Sequence, residues 1–488
     1  MPNNMGRLKH LQILTGFYVG RHNGSNLKEL GKLIYLRGSL EVSKLENVND
    51  PIVAREACMK DKKHLYKLGL QWNGNNEDSQ NERFTLEGLQ PHVNLKELTI
   101  RNYGGTRFAD WFDDPYLPNL VSLVLRACKY CFCLPSLGQL PSLRSVHIAK
   151  LEGIKKIGLN FYGNNNLSWA PFPSLVNLFI AEMMEWEEWM HFEGECFPCL
   201  KEIVIRYCPR LRKSLPPHLP CLEKLQIEQC GDLELESFPT KAFSTPKLES
   251  IHLSGLTHLK SLHEDMRTLL PYVHSLSLFC CPQLQLVPQE GLPLSLVQIS
   301  IHNCSKLFAS RMNWGLSRLH SLQKFSIGEN FENVESFPEE GLLPPNLKVL
   351  RFEGCSDLFG PSSALQHESK KGGPIIFHLT ENKKLPISDK DIVTIASSLW
   401  SPSCLEFGWS YCTVAFILSL KEDDITWHKS SKFPLLPFMV FSLISIRVPF
   451  PVAGKEVCLQ TGPSSTGGYQ MKRICDDPSG KPAVGNLH

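Results

Sequence analysis

An α/β solenoid with a parallel sheet along one wall is the fold class this sequence predicts, on three observations. The first is a pattern, L-x-x-L-x-L-x-x-C/N, seen in Leu120-Val-Ser-Leu123-Val-Leu125-Arg-Ala-Cys128 and returning down the chain. The second is its period: from Leu95 to Leu347 successive units start on average about 25 residues apart, inside the 20 to 29 of a leucine-rich repeat. The third is the alternation within a unit, whose fourth and sixth positions are apolar between polar neighbours, as a strand with one buried face requires. Such a unit cannot bury its apolar face alone, so the units must stack.

The regular units begin at Leu95, Leu120, Leu143, Leu175, Leu200, Leu222, Leu248, Val273, Leu296, Leu322 and Leu347. In seven of them the ninth position holds Cys128, Cys208, Cys230, Cys281, Cys304 and Cys355, or Asn330, small groups suited to turn inward where the strand ends. Intervals run from 22 residues (Leu200 to Leu222) to 32 (Leu143 to Leu175, with Gly163-Asn164-Asn165-Asn166), which places loops of unequal length on one face. Leu134-Pro135, Phe238-Pro239 and Phe337-Pro338 punctuate the return segments and disfavour long helices there. The expected architecture is a leucine-rich repeat horseshoe with a parallel concave sheet and irregular or 3₁₀ convex segments.

Weaker units precede these at Leu8-Leu11-Leu14, Leu40-Val42 and Leu65-Leu68-Leu70. Between the last two, Asp50-Pro51 reads as the start of one true helix, with Ile52, Val53, Ala57 and, at the margin, Cys58 facing the solenoid. Arg55, Glu56, Lys60 and Lys62 are expected in water. Residues 1–359 thus form a repeat domain, weak over 1–94 and regular over 95–359. Residues 360–488, which include the apolar run Thr413–Leu420, share no period and receive no fold. A poorly ordered tail, an appended small domain and a disrupted coding sequence stay open there, disorder being the preferred reading.

Fifty-one basic residues against 49 acidic ones leave a net charge of +2, with no general pull toward nucleic acid or an anionic membrane. The 17 cysteines are spread along a long chain and often occupy one repeat position, so they read as buried small hydrophobes in a reducing compartment. The first ten residues hold no apolar run of signal-peptide length, and a cytoplasmic protein is expected. The longest apolar stretch, Phe433–Ile446, is broken by Pro434 and Pro437 and is too short for a membrane span. Sequons at Asn23, Asn166 and Asn303 are expected to be unused.

Motifs for chemistry are weak. Gly462-Pro-Ser-Ser-Thr-Gly467-Gly468 has the glycine spacing of a phosphate loop, but Gly468 stands where the phosphate-binding lysine should be. Cys128, Cys131 and Cys133, or Cys280-Cys281, lack the paired spacing of a structural zinc site, and core thiols are the preferred reading. No His-Glu-x-x-His or Gly-x-Ser-x-Gly motif occurs, so no enzyme, metal or cofactor is expected. Trp186 and Trp189 could anchor a partner, but packing beneath the convex loop is preferred.

The N-terminal third carries more specific residues: Gly6-Arg-Leu, Phe17-Tyr-Val-Gly20, Glu29-Leu-Gly-Lys-Leu-Ile-Tyr-Leu-Arg-Gly-Ser-Leu40, Leu45-Glu-Asn-Val48 and Leu65-Tyr-Lys-Leu-Gly-Leu-Gln-Trp72. With Leu134-Pro-Ser-Leu-Gly-Gln-Leu-Pro-Ser-Leu143, these resemble the leucine-rich repeat region of plant coiled-coil-type nucleotide-binding disease resistance proteins (NLRs), over roughly residues 5 to 358. The resemblance implies a role in plant immunity, in which the repeats sense a pathogen effector or a guarded host protein and restrain a nucleotide-binding (NB-ARC) switch. That switch, which would bind ADP or ATP, should precede the repeats, and this chain is read as starting inside them. An adaptor-type repeat protein, such as a ubiquitin-ligase substrate-recognition subunit, is the alternative.

Position seven of each unit, just past the last buried strand residue, is expected to project from the concave face. In order it is Gln71, Arg101, Arg126, Ala149, Ala181, Arg206, Glu228, Ser254, Phe279, His302, Gly328 and Glu353. Of these Gln71, Arg101, Arg126, Arg206, Glu228, Phe279, His302 and Glu353 are the candidate partner-binding residues. Basic groups come early and acidic ones later, which suits a protein partner of opposite polarity at each end.

Overall fold

The computed structural model describes residues 4–21, 26–74, 79–113, 116–163, 170–213, 215–240, 243–285, 287, 291–328, 342–344, 346–353 and 379–380, and strands within 445–486. The chain divides into two compact units, Met1–Glu381 and Asn382–His488.

In the first unit the repeat strands form one parallel sheet of fifteen, in sequence order, one more than expected, because Leu379–Thr380 pairs with Phe352–Glu353 beyond the expected end of the repeats. They are Gly16–Tyr18, Arg37–Ser43, His64–Gln71, Glu97–Arg101, Ser122–Arg126, Ser145–Ala149, Asn177–Ala181, Glu202–Arg206, Lys224–Glu228, Ser250–Ser254, Ser275–Phe279, Gln298–His302, Lys324–Gly328, Val349–Glu353 and Leu379–Thr380. The fold is an α/β leucine-rich repeat solenoid. Burial follows the repeat positions: Leu120, Leu123, Leu125 and Cys128 are completely buried, as are Leu248, Ile251 and Leu253.

Each rung is locked to the next at the end of its strand. The residue at position eight is left-handed in Asn102, Ala127, Lys150, Glu182, Tyr207, Gln229, Gly255, Cys280 and Asn303, of which only Gly255 is a glycine. This conformation turns its N–H onto the position-seven carbonyl of the next rung, as in Ala127 N to Ala149 O (2.8 Å), Tyr207 N to Glu228 O (2.8 Å) and Cys280 N to His302 O (2.8 Å). The position-nine thiol donates to the position-seven carbonyl of its own rung: Cys208 Sγ to Arg206 O (3.3 Å), Cys281 Sγ to Phe279 O (3.3 Å), Cys304 Sγ to His302 O (3.3 Å). Cysteine at position nine thus supplies a small donor without a bulky polar group, while Tyr103, Leu151, Met183 and Leu256 fill the same buried position in other rungs.

Return segments are irregular, as expected, with 3₁₀ turns at Asp110–Phe112, Leu137–Gln139 and Leu159–Tyr162. Short parallel pairs join Lys156–Ile157 to Glu188–Trp189 and Ser237–Phe238 to Ser261–Leu262. Trp186 and Trp189 pack in the core and do not anchor a partner. Trp189 Nε1 donates to the Tyr162 hydroxyl (2.9 Å), which donates on to Met190 O (3.1 Å).

Three expectations near the N-terminus need correction. The first strand is Gly16–Tyr18 and not the Leu8-Leu11-Leu14 unit: Phe17 pairs with Val42 and so takes the sixth position, Val19 N–H reaches Ser43 O (2.9 Å) as a position-eight residue, both are buried, and Leu8 is exposed. The helix after Asp50 is one turn, Ile52–Arg55, because Cys58 is left-handed and a 3₁₀ turn, Met59–Asp61, follows. Ala54 on it and Ala57 and Met59 after it are buried and Val53 packs against the core, so Val53 and Ala57 face inward as expected, whereas Ile52 is exposed. Lys62, expected in water, is buried with its ammonium donating to Leu30 O (2.7 Å) and Leu33 O (3.2 Å). It meets these carbonyls at and just past the end of the short helix Lys28–Gly31, Leu30 O also accepting the Leu33 N–H, and burial pulls its pKa below the ordinary lysine value.

A ten-residue helix, Ser79–Gly88, has no counterpart in the sequence reading. It buries Glu82, Thr85 and Leu86, so it shows no apolar stripe, and the Glu82 carboxylate accepts the Gly104 N–H (2.5 Å).

In the second unit the strands Ser445–Pro449, Glu456–Pro463, Tyr469–Asp476 and Pro482–Asn486 form an antiparallel sheet, where the sequence reading assigned no fold. Gly462 lies in its second strand; residues 464–468 of the loop-like motif, Asn330, Cys355, Asn23, Asn166 and the run 413–420 lie outside the described residues. Among the described residues no helix is long and apolar enough to cross a membrane.

The left-handed position eight predicts that Ala127→Gly raises the unfolding free energy by about 0.5–1 kcal/mol in urea titration, while Ala149→Gly, on an extended strand, lowers it by a similar amount. The buried thiols predict an alkaline limit. Burial pushes Cys128 up from 9.0 to about 12, so between these values the native thiol keeps a proton that the unfolded chain loses, and stability falls as pH rises. Melting temperature should decline from about pH 9 toward pH 12, and less steeply in Cys128→Ala.

Candidate recognition face of the sheet

Positions three, five and seven of each strand point away from the buried leucines, because successive strand residues alternate between faces. The register brings the position-seven residues into one column: Gln71 pairs with Arg101, Arg101 with Arg126, Arg126 with Ala149 and Ala149 with Ala181. It continues through Arg206, Glu228, Ser254, Phe279, His302, Gly328 and Glu353 without a slip. The candidate residues thus share one line, although they do not share one environment. Arg101 and Arg126 are exposed, Gln71, Arg206, Glu228 and Phe279 are half-buried, and Ala149 and Ala181 are shaded by larger neighbours.

His302 does not project freely into solvent. It is only 7% exposed, stacked on Phe279 (centroids 4.6 Å apart, planes at 3°), with Nε2 3.0 Å from the Ser326 hydroxyl. Phe279 is also stacked on His252, so these three rings form a continuous pile across three rungs. The Glu353 side chain lies outside the described residues.

Pairing between rungs blunts the expected change of charge along the column. Arg101 faces Glu41 (3.8 Å), Arg206 Nε lies 3.0 Å from Glu228, and Glu228 also meets His252 (3.2 Å). Arg126 makes no ion pair among the described residues, which leaves it as the uncompensated cation of the three arginines.

Sequence reading missed the second row of the face, at position five: Val124, His147, Phe179, Val204, Gln226 and His252. The period-two alternation that exposes position seven exposes this row as well. His147 and Phe179 touch, ring centroids 4.2 Å apart. Burial, and then the charge of Arg126, hold the His147 pKa below its ordinary value, so the imidazole is neutral at physiological pH. Above these rings, between Arg126 and Arg206, is an open hollow of about 200 Å³, with Ala149 and Ala181 on its floor and Glu182 and Tyr207 at its edge. Lys150 compensates Glu182 at 3.0 Å, and Tyr207 is half exposed.

No set of three or more histidine, cysteine, aspartate and glutamate side chains converges on a metal-sized space among the described residues. Cys131, adjacent to the repeat, donates to Gly105 O at 3.1 Å, and burial raises its pKa far above the usual thiol range. It is a poor nucleophile. The chemistry this face offers is contact: guanidinium groups, aromatic planes and a shallow apolar dent.

Residues 27–151 match the family model described as R13L1/DRL21 leucine-rich repeats. Over 336 residues the chain is 36% identical to disease resistance RPP13-like protein 1 of Arabidopsis thaliana, covering 60% of this chain and 32% of that protein. It is 34% identical over 265 residues to disease resistance protein RGA2 of Solanum bulbocastanum (53% of this chain, 27% of the relative). A further relative, disease resistance protein RGA1 of the same species, is 32% identical over 270 residues (54% and 26%). The chain therefore spans about a third or less of the length of the relatives it matches.

The placement of Arg126 beside His147 predicts that Arg126→Gln raises the His147 pKa toward that of a free imidazole, read by NMR titration of the ring protons. An unchanged or lower value would show that the two groups do not face each other.

Proposed function

From a repeat region whose homologues are plant disease resistance proteins, we propose that this chain serves plant defence as a non-catalytic recognition element working in the cytosol. Its sheet face contacts a pathogen effector or a guarded host protein, and also an NB-ARC module whose switch it restrains. Any ADP or ATP belongs to that module.

The observation that carries this reading is the division of labour within each rung. From Leu95 to Ile301 positions one, four and six are apolar and buried, and position nine from Tyr103 to Cys304 is apolar, tyrosine or cysteine and buried, whereas positions five and seven vary from arginine to phenylalanine along an unbroken register. Uniform positions build the shape, and the variable ones are free to encode a partner. The thirteen strands from Arg37–Ser43 to Val349–Glu353 span roughly 60 Å at the usual strand spacing. A standard interface takes about 800 Å² from each partner, or about 30 Å across, so one face has room for a ligand and a module side by side. Aromatic and arginine side chains, which dominate binding energy at interfaces, are those it presents.

The test replaces Arg101 and Arg126 by glutamate and Arg206 by glutamine, the last avoiding two carboxylates at the Glu228 contact. Binding to separately expressed NB-ARC modules and to a panel of effectors is compared with the unaltered chain. Loss of about tenfold or more is expected, with a melting temperature within a few degrees because the Arg101–Glu41 pair is long and half exposed and Arg206→Gln leaves an amide donor beside Glu228. Undiminished binding would refute the face as the contact surface, and failure of the unaltered chain to bind any NB-ARC module would refute the restraint.

A further inference from the structure

Resting on that reading of the sheet face, we infer that the hollow above Ala149 and Ala181 is a socket for one bulky apolar side chain of a protein partner, whose neighbouring carboxylate is clamped by Arg126. Ala149 and Ala181 are consecutive small residues in a column otherwise filled by larger side chains on both flanks, Arg126 before and Arg206 after. Beside them the hollow is lined by His147 and Phe179, whose imidazole and phenyl rings are already in contact.

Size selects the class of occupant. A volume of about 200 Å³ is below the roughly 300–1,000 Å³ of pockets that enclose a whole small molecule, and suits a single side chain inserted from a chain lying across the strands. Charge selects its neighbour. Around the hollow Arg206 is held by Glu228 and Lys150 by Glu182, whereas Arg126 makes no ion pair among the described residues, so the unmatched charge at the rim is positive. An arginine fork there takes a carboxylate.

Spacing then fixes the sequence signature. The midpoint of the two alanines lies one and a half strand spacings from Arg126, roughly 7 Å. An extended peptide rises about 3.4 Å per residue, so the carboxylate sits two residues from the inserted side chain. The expected motif is an aspartate or glutamate two positions from phenylalanine, tryptophan, tyrosine, leucine or methionine.

The probe is a library of random twelve-residue peptides displayed on phage, selected on the full chain, followed by titration of the most enriched sequence as a labelled synthetic peptide. Enrichment of the acidic-apolar spacing is expected. Ala181→Leu, which fills the socket, and Arg126→Gln, at an exposed position that should not disturb folding, should each weaken the peptide about tenfold. Changing the peptide's acid to its amide should weaken binding to the unaltered chain about tenfold but leave binding to Arg126→Gln within about twofold, the signature of a direct pair. No enrichment, enrichment of basic peptides, or binding indifferent to both variants would overturn the socket. Peptides indifferent to both but lost with Phe279→Ala would leave the sheet face as the recognition surface, whereas peptides indifferent to all three would remove that reading as well.

Discussion

The hydrogen bond from each position-eight N–H to the position-seven carbonyl of the following rung is the contact on which the rest of this structure depends. A rung has no core of its own, and its leucines are buried only while its neighbours stay in register. The bond sets that register at the strand end and demands a left-handed residue, which costs about 1 kcal/mol or more wherever the residue is not glycine. Eight of the nine positions from Asn102 to Asn303 bear that cost. In five rungs a second bond adds to the first: the carbonyl that accepts the inter-rung N–H also accepts the position-nine thiol, at Cys128, Cys208, Cys230, Cys281 and Cys304. Strand end, turn and cysteine are one device.

The shape of the chain was legible because this device repeats. Any window containing Leu-x-x-Leu-x-Leu with a cysteine three residues on has one way to bury its apolar side chains, and the structure follows it from Leu95 onward. At the N-terminus legibility failed where the cue was degenerate. Leu8, Leu11 and Leu14 carry the leucine spacing of a unit, but the strand lies after them, and only pairing of Phe17 with Val42 shows where. Lys62 failed for another reason: an ammonium is ordinarily solvated, and what buries this one is a pair of carbonyls some thirty residues earlier in the chain.

The recognition face was legible as a line and not as a surface. Alternation along a strand reveals position seven, and by the same rule should have revealed position five. Which charges cancel depends on neighbours one or two rungs away: Arg101 finds Glu41 across the intervening strand, and Arg206 finds Glu228 on the next. Those partners are 60 and 22 residues distant in sequence, so a list of charges read in order exaggerates the polarity that the folded sheet presents.

Irregular spacing, read from the sequence as loops of unequal length, is compatible with a regular face for a physical reason. Intervals vary by ten residues between the shortest and the longest, yet between Leu98 and Glu353 the strands pair with no break in register. The extra residues are taken up on the return side, where short strand pairs and 3₁₀ turns bury the aromatic groups Phe161, Tyr162 and Trp189. Each rung's strand end is then restored by the same backbone bond, whatever length preceded it. A solenoid built this way can change its return segments or the side chains at positions five and seven without disturbing the ladder. Two adjacent alanines between two arginines, which in a globular core would be a cavity to be filled, can here stand open as a place for another chain.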